Sequence, residues 1–354
     1  MKILSIVGAR PQFIKLGPLS KSIRSIHEEI IIHTGQHFDR IMSEQFFDDL
    51  HIPKPDYNLK IHGGNHGEQT GRMMVHLEKL VQKIKPEAII VFGDTNSTMA
   101  GTLVGAKLQI PIIHVEAGLR SFNRAMPEEI NRIVTDHTSS ILFAPTKTAV
   151  SNLIKEGLEE KTYLSGDIMV DALLENIDVA KNKSTLIHTL NLKNEKYNLL
   201  TLHRPYNVDD PVRLKLILTK LAQSNKQIIF PVHPRTNIII KKNNIKVGEN
   251  IRLIKPQGYL DFLCLMDAAE KVLTDSGGIQ KEAYILKKPC LTIRSETEWI
   301  ETLTHGWNKI VNPENSQFVD SIDSTLKPKA HDEIFGHNVA PKMLSLINEY
   351  FLQR

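Results

Sequence analysis

The sequence predicts an α/β fold built on two doubly wound parallel sheets. Two observations carry this. Short apolar runs alternate with stretches of helical period, and each run closes in a polar or Gly-rich turn, the pattern of parallel βαβ units. Such runs recur at Ile3–Val7, Ile30–His33, Ala88–Phe92, Ile110–Val115, Ile141–Ala144, Asn198–Leu202, Ile228–Val232, Ile251–Ile254, Lys271–Thr274 and Cys290–Ile293. That is too many strands for one ordinary open sheet, and 354 residues suggest about two domains. The expected division is a Rossmann-like domain over 1–168, joined by a C-terminal helix at 338–354, and a second over 169–337, with the seam near Ser165-Gly166-Asp167.

The opening run reads as a first strand and not a signal peptide, because Gly8, Arg10 and Pro11 follow it at once. No apolar stretch approaches the roughly 20 residues of a membrane span, so no membrane partner and a cytoplasmic location are expected. The net charge of +4 is too mild to argue for nucleic acid. The two cysteines, Cys264 and Cys290, have no metal-type spacing and read as buried thiols of a reducing compartment. No tight His or Cys ligand spacing occurs, so no metal is expected. The Lys- and Asn-rich stretch from Asn176 to Lys196 reads as an exposed excursion.

The most informative stretch is Ile112-Ile113-His114-Val115-Glu116-Ala117-Gly118-Leu119-Arg120, closed by Pro127-Glu128-Glu129-Ile130-Asn131-Arg132. Its strand ends on a carboxylate, where ligands bind in an open parallel sheet. Asp94, after the run ending at Phe92, and Glu128 join Glu116 at the same edge. Asp94 alone reads as an N-cap, the usual role of an Asp at a strand-to-helix turn, and its company is what points to chemistry. Carboxylates gathered in a cleft raise one another's pKa and divide into acid and base. Arg132 lies a turn from Glu128, placed to hold a carboxylate ionised or to bind phosphate. His203 and His233 each end a later run, beside Arg204 and Arg235, and suit charge building on a leaving phosphate; for either alone, a capping or core role is the other reading.

Two stretches suit anions. Asp275-Ser276-Gly277-Gly278-Ile279-Gln280-Lys281-Glu282 reads as a turn into a helix whose N–H groups approach a phosphate closely, with Glu282 placed for ribose hydroxyls. After the first strand, Arg10 and Lys15 flank a Gly8–Pro11 turn, and the fork of Arg10 suits phosphate oxygens. This turn lacks the dinucleotide fingerprint, so no nicotinamide cofactor is expected.

These residues together resemble the non-hydrolysing UDP-N-acetylglucosamine 2-epimerases over nearly the whole chain. The resemblance rests on Gly8-x-Arg10-Pro11 with Lys15, Gly93-Asp94-Thr95, His114 to Arg120, Pro127-Glu128-Glu129 with Asn131-Arg132, and Asp275 to Gln280 with Glu282. It implies a GT-B type pair of domains with the active site in the interdomain cleft, a homodimer, a UDP-sugar substrate and no cofactor. It implies that UDP is eliminated to leave a glycal and added back with C2 inverted. Asp94, Glu116 and Glu128 then match the acid/base carboxylates, and Arg132 and His203 their charge-stabilising partners. Arg10, Lys15, His233, Phe262, Ser276, Gly277, Gly278, Glu282 and Arg294 match the UDP-binding positions.

Where the family commonly has Arg-Pro-Glu, this chain has Arg10-Pro11-Gln12. His-Arg-Arg-Glu-Asn becomes His203-Arg204-Pro205-Tyr206-Asn207. Arg-Asp-Thr-Thr-Glu-Arg-Pro-Glu becomes Arg294-Ser295-Glu296-Thr297-Glu298-Trp299-Ile300-Glu301, and the loop from Gly118 to Pro127 is short. These variants resemble the branch acting on UDP-2,3-diacetamido-2,3-dideoxyglucuronate in surface polysaccharide biosynthesis, with Arg124 or Arg204 meeting a C6 carboxylate. UDP-N-acetylglucosamine as substrate, or a GT-B glycosyltransferase, are the alternatives. The family's allosteric substrate site depends on loop residues near Gln36, His37, Gln69 and Arg72, whose surroundings differ here.

Overall fold

The computed structural model describes residues 1–36, 47, 52–193, 195–325 and 328–353. They form two units, Met1–Leu174 with Glu333–Arg354, and Glu175–Asp332. His37 lies outside the described residues.

In the first unit, strands β1 (Lys2–Val7), β2 (Glu28–His33), β3 (Tyr57–Asn58), β4 (Ala88–Phe92), β5 (Ile112–Val115), β6 (Ile141–Ala144) and β7 (Thr162–Leu164) pair in the order β3-β2-β1-β4-β5-β6-β7, all in parallel. The helices are α1 (Arg10–Ile23), α2 (His66–Ile84), α3 (Asn96–Lys107), α4 (Pro127–Thr138) and α5 (Lys147–Lys155), followed by α6 (Met169–Lys183), which runs on into the second unit. The central strands are near-continuous apolar runs because helices cover both faces; all five residues of β4 are buried.

In the second unit, α7 (Leu186–Thr189) precedes β8 (Tyr197–Thr201), α8 (Pro205–Val208), α9 (Pro211–Ala222), β9 (Gln227–Pro231), α10 (Pro234–Lys242), β10 (Ile251–Ile254) and α11 (Tyr259–Ala268). Then follow β11 (Lys271–Thr274), α12 (Gly277–Ile285), β12 (Cys290–Thr292), β13 (Asn308–Ile310) and α13 (Phe318–Asp323). The strand order is β10-β9-β8-β11-β12-β13, again parallel. Its core is filled from both faces by residues such as Leu200, Phe230, Leu273 and Phe318 on one side and Tyr197, Leu265 and Val272 on the other.

The last helix, α14 (Val339–Leu352), returns to the first unit. His27 Nε2 pairs with Asn348 Oδ1 at 2.7 Å, and Ala340 N–H donates to Asp171 at 2.7 Å. All ten expected strands form, β5 starting two residues later than expected. The stretch from Asn176 to Lys196 corrects the expectation of an exposed excursion: α6 continues through it to Lys183, α7 follows, and Ile177, Ala180 and Leu192 are buried. Its apolar residues, widely spaced among lysines and asparagines, face inward.

In each sheet the strand order reverses at one crevice, between β1 and β4 and between β8 and β11. Ligands of such sheets bind beyond the strand ends at that switch point.

Candidate active site

The first switch point is clamped by Gln12. Its Nε2 donates to the Phe92 carbonyl at 2.7 Å and to the Thr95 and Thr98 hydroxyls at 3.0 and 2.9 Å, while its Oε1 accepts from Gly8 N–H and Ala9 N–H at 2.7 and 3.0 Å. A glutamine both donates and accepts here; a carboxylate would only accept. Gly8 is needed because a Cβ there would lie 2.1 Å from the hydroxyls of both Ser97 and Thr34. The two turns thus approach each other, and α1 carries Lys15 beside the turn after β4, its ammonium 3.5 Å from where a Cβ on Gly93 would stand.

Asp94, Glu116, Lys15 and Arg132 are brought together. The Lys15 ammonium lies 2.6 Å from Glu116 Oε1. A Cβ on Gly93 would stand 3.6 Å from that same Glu116 oxygen, so the carboxylate lies against the turn bearing Asp94. Arg132 pairs with Asp94 and, at 3.0 Å, with Glu129. Burial alone would lower the Arg132 pKa, but Asp94, Glu129 and Glu116 together raise it. Asp94 and Glu116 thus each face a cation, Arg132 and Lys15 respectively. Lys15 meets Glu116, whereas the resemblance gave it to the UDP side. Glu128, in the first turn of α4, is exposed.

Glu129 was missed by sequence reasoning. It is buried, and its oxygens accept from Ser121 N–H, the Ser121 hydroxyl and Phe122 N–H at 2.9–3.0 Å as well as from Arg132. Burial would raise its pKa, yet the Ser121 and Phe122 bonds and Arg132 hold it below the ordinary carboxylate value. It ties the 118–127 loop to the arginine that grips Asp94. The available signal was the second glutamate of Pro127-Glu128-Glu129, three residues before Arg132 and so on the same helix face. Asn131, by donating to the Asp94 carbonyl at 2.9 Å, adds a second tether.

At the second switch point the organiser is Asp275, wholly buried. It accepts from the backbone N–H groups of His203 (3.1 Å) and Arg204 (3.1 Å), from Asn207 Nδ2 (3.1 Å), and from His203 Nδ1 at 3.0 Å. Burial would raise its pKa, but the His203, Asn207 and Arg204 bonds keep it below the ordinary value. His203 is about half exposed, its side chain 52% accessible, so its ring is oriented by Asp275 while its other edge stays open.

Ser276, Gly277 and Gly278 open α12, with Glu282 one turn in and nearly buried. A Cβ on Gly277 would meet Glu298 Oε1 at 2.0 Å. That glutamate pairs with Arg294 at 2.7 Å and lies 4.0 Å from Arg204 Nη2. Close approach at this turn is therefore already used by a carboxylate, framed by two arginines. The Nε of Arg204 is buried with no hydrogen-bond partner among the described residues. His233 is exposed and caps α10, its Nδ1 accepting from Arg235 N–H at 3.3 Å. Phe262 is half-buried against the core.

Around the loop positions of the allosteric expectation, Gln36 Oε1 accepts from Ser97 N–H and its hydroxyl, Gln69 Oε1 accepts from Asn96 at 2.9 Å, and Arg72 donates to the Gly63 carbonyl. No His, Cys, Asp and Glu grouping suited to a metal occurs among the described residues, and none of their helices is long and apolar enough to cross a membrane.

Two parallel doubly wound units, each with polar and charged groups gathered where its strand order reverses, define an α/β enzyme of the GT-B class. The family model described as UDP-N-acetylglucosamine 2-epimerase matches residues 21–342, and the chain belongs to that family. It is 52% identical over 327 residues to a UDP-N-acetylglucosamine 2-epimerase homolog of Methanococcus maripaludis, covering 91% of this chain and 92% of the relative. It is 47% identical to the UDP-2,3-diacetamido-2,3-dideoxy-D-glucuronate 2-epimerase of Pseudomonas aeruginosa, covering 94% of each. Its fold matches the crystal structure of Methanocaldococcus jannaschii UDP-GlcNAc 2-epimerase, in complex with UDP-GlcNAc and UDP, with a TM-score of 0.87 at 44% identity, over 99% of this chain and 100% of that one. The chain is an isomerase, a UDP-sugar 2-epimerase.

Proposed function

We propose that this chain inverts C2 of UDP-2,3-diacetamido-2,3-dideoxyglucuronate, giving the manno form, by non-hydrolysing elimination and re-addition of UDP. The observation that carries the substrate choice is the buried, unpartnered Nε of Arg204 beside His203. A buried guanidinium donor left unpaired is costly, and a C6 carboxylate is a fitting acceptor. The similarity to the Pseudomonas aeruginosa enzyme supports the same choice.

A base takes the C2 proton while the C1–O bond to UDP breaks, and C1=C2 forms. UDP then adds back to C1 as a proton reaches C2 on the opposite face. Loss of a C2 proton is difficult without an adjacent carbonyl, so stabilisation of the leaving diphosphate must accompany the base. In this reading Asp94, Glu116 and Glu128 supply the acid/base groups, and Arg132 and His203 balance charge. Arg10, His233, Phe262, Ser276, Gly277, Gly278, Glu282 and Arg294 hold the nucleotide. Lys15 gives Glu116 its counter-charge. The resemblance also supports a homodimer in the cytoplasm, the former checked by light scattering.

A second reading, UDP-N-acetylglucosamine as substrate, is favoured by the Methanococcus maripaludis and Methanocaldococcus jannaschii relatives; Arg204 then meets a phosphate oxygen. Proton NMR in deuterium oxide with each UDP sugar separately decides. Deuterium at C2 with a manno product from the diacetamido sugar alone supports the first reading. The same from UDP-N-acetylglucosamine alone supports the second. Absence of exchange with both sinks the acid/base assignment for these sugars, and release of free UDP with free sugar marks a hydrolysing enzyme instead.

A further inference from the structure

We infer that Asp136, working through His114, is a positioning residue that fastens the turn bearing Glu116 to the turn bearing Asp94. This rests on the reading of Glu116 and Asp94 as acid/base groups. Glu116 has φ +74°, the left-handed region, which is strained for a residue with a side chain and persists only where its surroundings over-determine it.

Those surroundings converge on one carboxylate. Asp136, on α4, is wholly buried. Its Oδ1 accepts from His114 Nδ1 at 2.7 Å, two residues before Glu116. Its Oδ2 accepts from Gly118 N–H at 3.1 Å, two residues after, and from Arg120 at 2.7 Å. The chain on both sides of the left-handed residue is thereby tied to a single carboxylate, through the His114 ring before it and the Gly118 N–H after it. The other ring nitrogen of His114 lies 2.7 Å from the carbonyl oxygen of Gly93, the residue before Asp94. A continuous path of hydrogen bonds runs from the Glu116 turn through Asp136 and His114 to the Asp94 turn. Arg120 anchors it outward through two bonds of 2.7 Å to Glu156. Buried polar networks of this kind act as a unit when every member is satisfied.

A plain packing role would need only volume at position 136. The carboxylate adds directed bonds to His114 and Gly118, two residues to either side of Glu116. Misplacing a reacting group by about 1 Å costs about 100-fold in rate, whereas nucleotide binding draws on Ser276, Gly277 and Glu282, on other elements.

The test is Asp136→Asn and His114→Gln, singly and together, in the full chain. UDP is titrated to count binding-competent sites, and kcat per site is measured with whichever UDP sugar the wild type epimerises. We expect kcat per site to fall about 10–100-fold, UDP affinity to stay within about twofold, and the double variant to lose no more than the worse single one. A merely structural role lowers the melting temperature and the number of competent sites while kcat per site stays at the wild-type value; that result overturns the proposal. Failure of both variants to fold also counts against it. Where only Asp136→Asn fails to fold, His114→Gln, which leaves the Asp136–Arg120–Glu156 bonds in place, carries the test. Glu116→Gln and Asp94→Asn are run alongside: if they keep full activity, the acid/base reading has failed, and not the positioning role.

Discussion

Asp275→Asn changes one oxygen into an amide nitrogen at a site with no solvent access, where every neighbour is a donor. Whichever way the amide turns, its NH2 faces either His203 or the Arg204 and Asn207 donors. Leaving buried donors without an acceptor costs about 1–3 kcal/mol of stability. The kinetic effect is separable. A charge-assisted bond to His203 becomes a neutral one, and the two classes differ by about 1 kcal/mol once the half exposure of the ring is discounted. That corresponds to about fivefold in rate. The assay is kcat for epimerisation with His203→Asn and the double variant alongside, so that the coupling of the pair is read directly. We expect Asp275→Asn to lower kcat about fivefold and to have no further effect on kcat once His203 is gone. A folded Asp275→Asn variant with kcat within twofold of wild type, or a full additive loss in the double variant, refutes the orienting role of Asp275.

Gln12→Glu removes the donor that reaches the Phe92 carbonyl and both threonines; a melting temperature several degrees lower is expected, reflecting about 2–3 kcal/mol, and Gln12→Glu melting at the wild-type temperature would contradict this. Asp136, Asp275 and Glu129 all have pKa values held below those of the unfolded chain. Their contribution is complete above the unfolded values of about 4 and is lost as pH falls through the folded ones. Acid unfolding monitored by circular dichroism should therefore steepen below about pH 4, and Asp136→Asn should flatten it. Burial pushes the Cys290 thiol up to about 12 and raises Cys264 as well, so neither should react with a thiol reagent at neutral pH until denaturant is added; rapid labelling of the native chain would contradict both.

The central strands were legible because strands buried on both faces leave unbroken apolar runs, as Ala88–Phe92 does. The three that escaped, β3, β7 and β13, are sheet-edge strands of two or three residues, too short to show a period. Asp94, Glu116 and His203 drew attention because each lies within two residues of a strand end, and Arg132 because it lies a turn from Glu128. The groups that hold these residues in place were not legible. Glu129, Asp136 and Asp275 act through contacts with residues 8, 22 and 72 positions away, and sequence spacing does not display such contacts. Position 12 was noticed as a departure, but its meaning required seeing three acceptors converge on one amide. His233 drew attention as a histidine at a strand end, and its Nδ1 caps α10, one of the roles its position left open.

The return of α14 to the first unit bears on how the chain is made. His27 and Asn348 are joined across 321 positions of sequence, while every residue of the second unit lies between them. During synthesis the second unit has its full complement of residues before the first unit does. The nascent first unit must wait with the surface destined for α14 uncovered, and domains generally fold as units as they emerge. Pulse labelling on stalled ribosomes should find the later-encoded unit protected first. A nick at a single loop of the second unit should likewise leave the first unit's two segments associated, since non-covalent contacts close that loop.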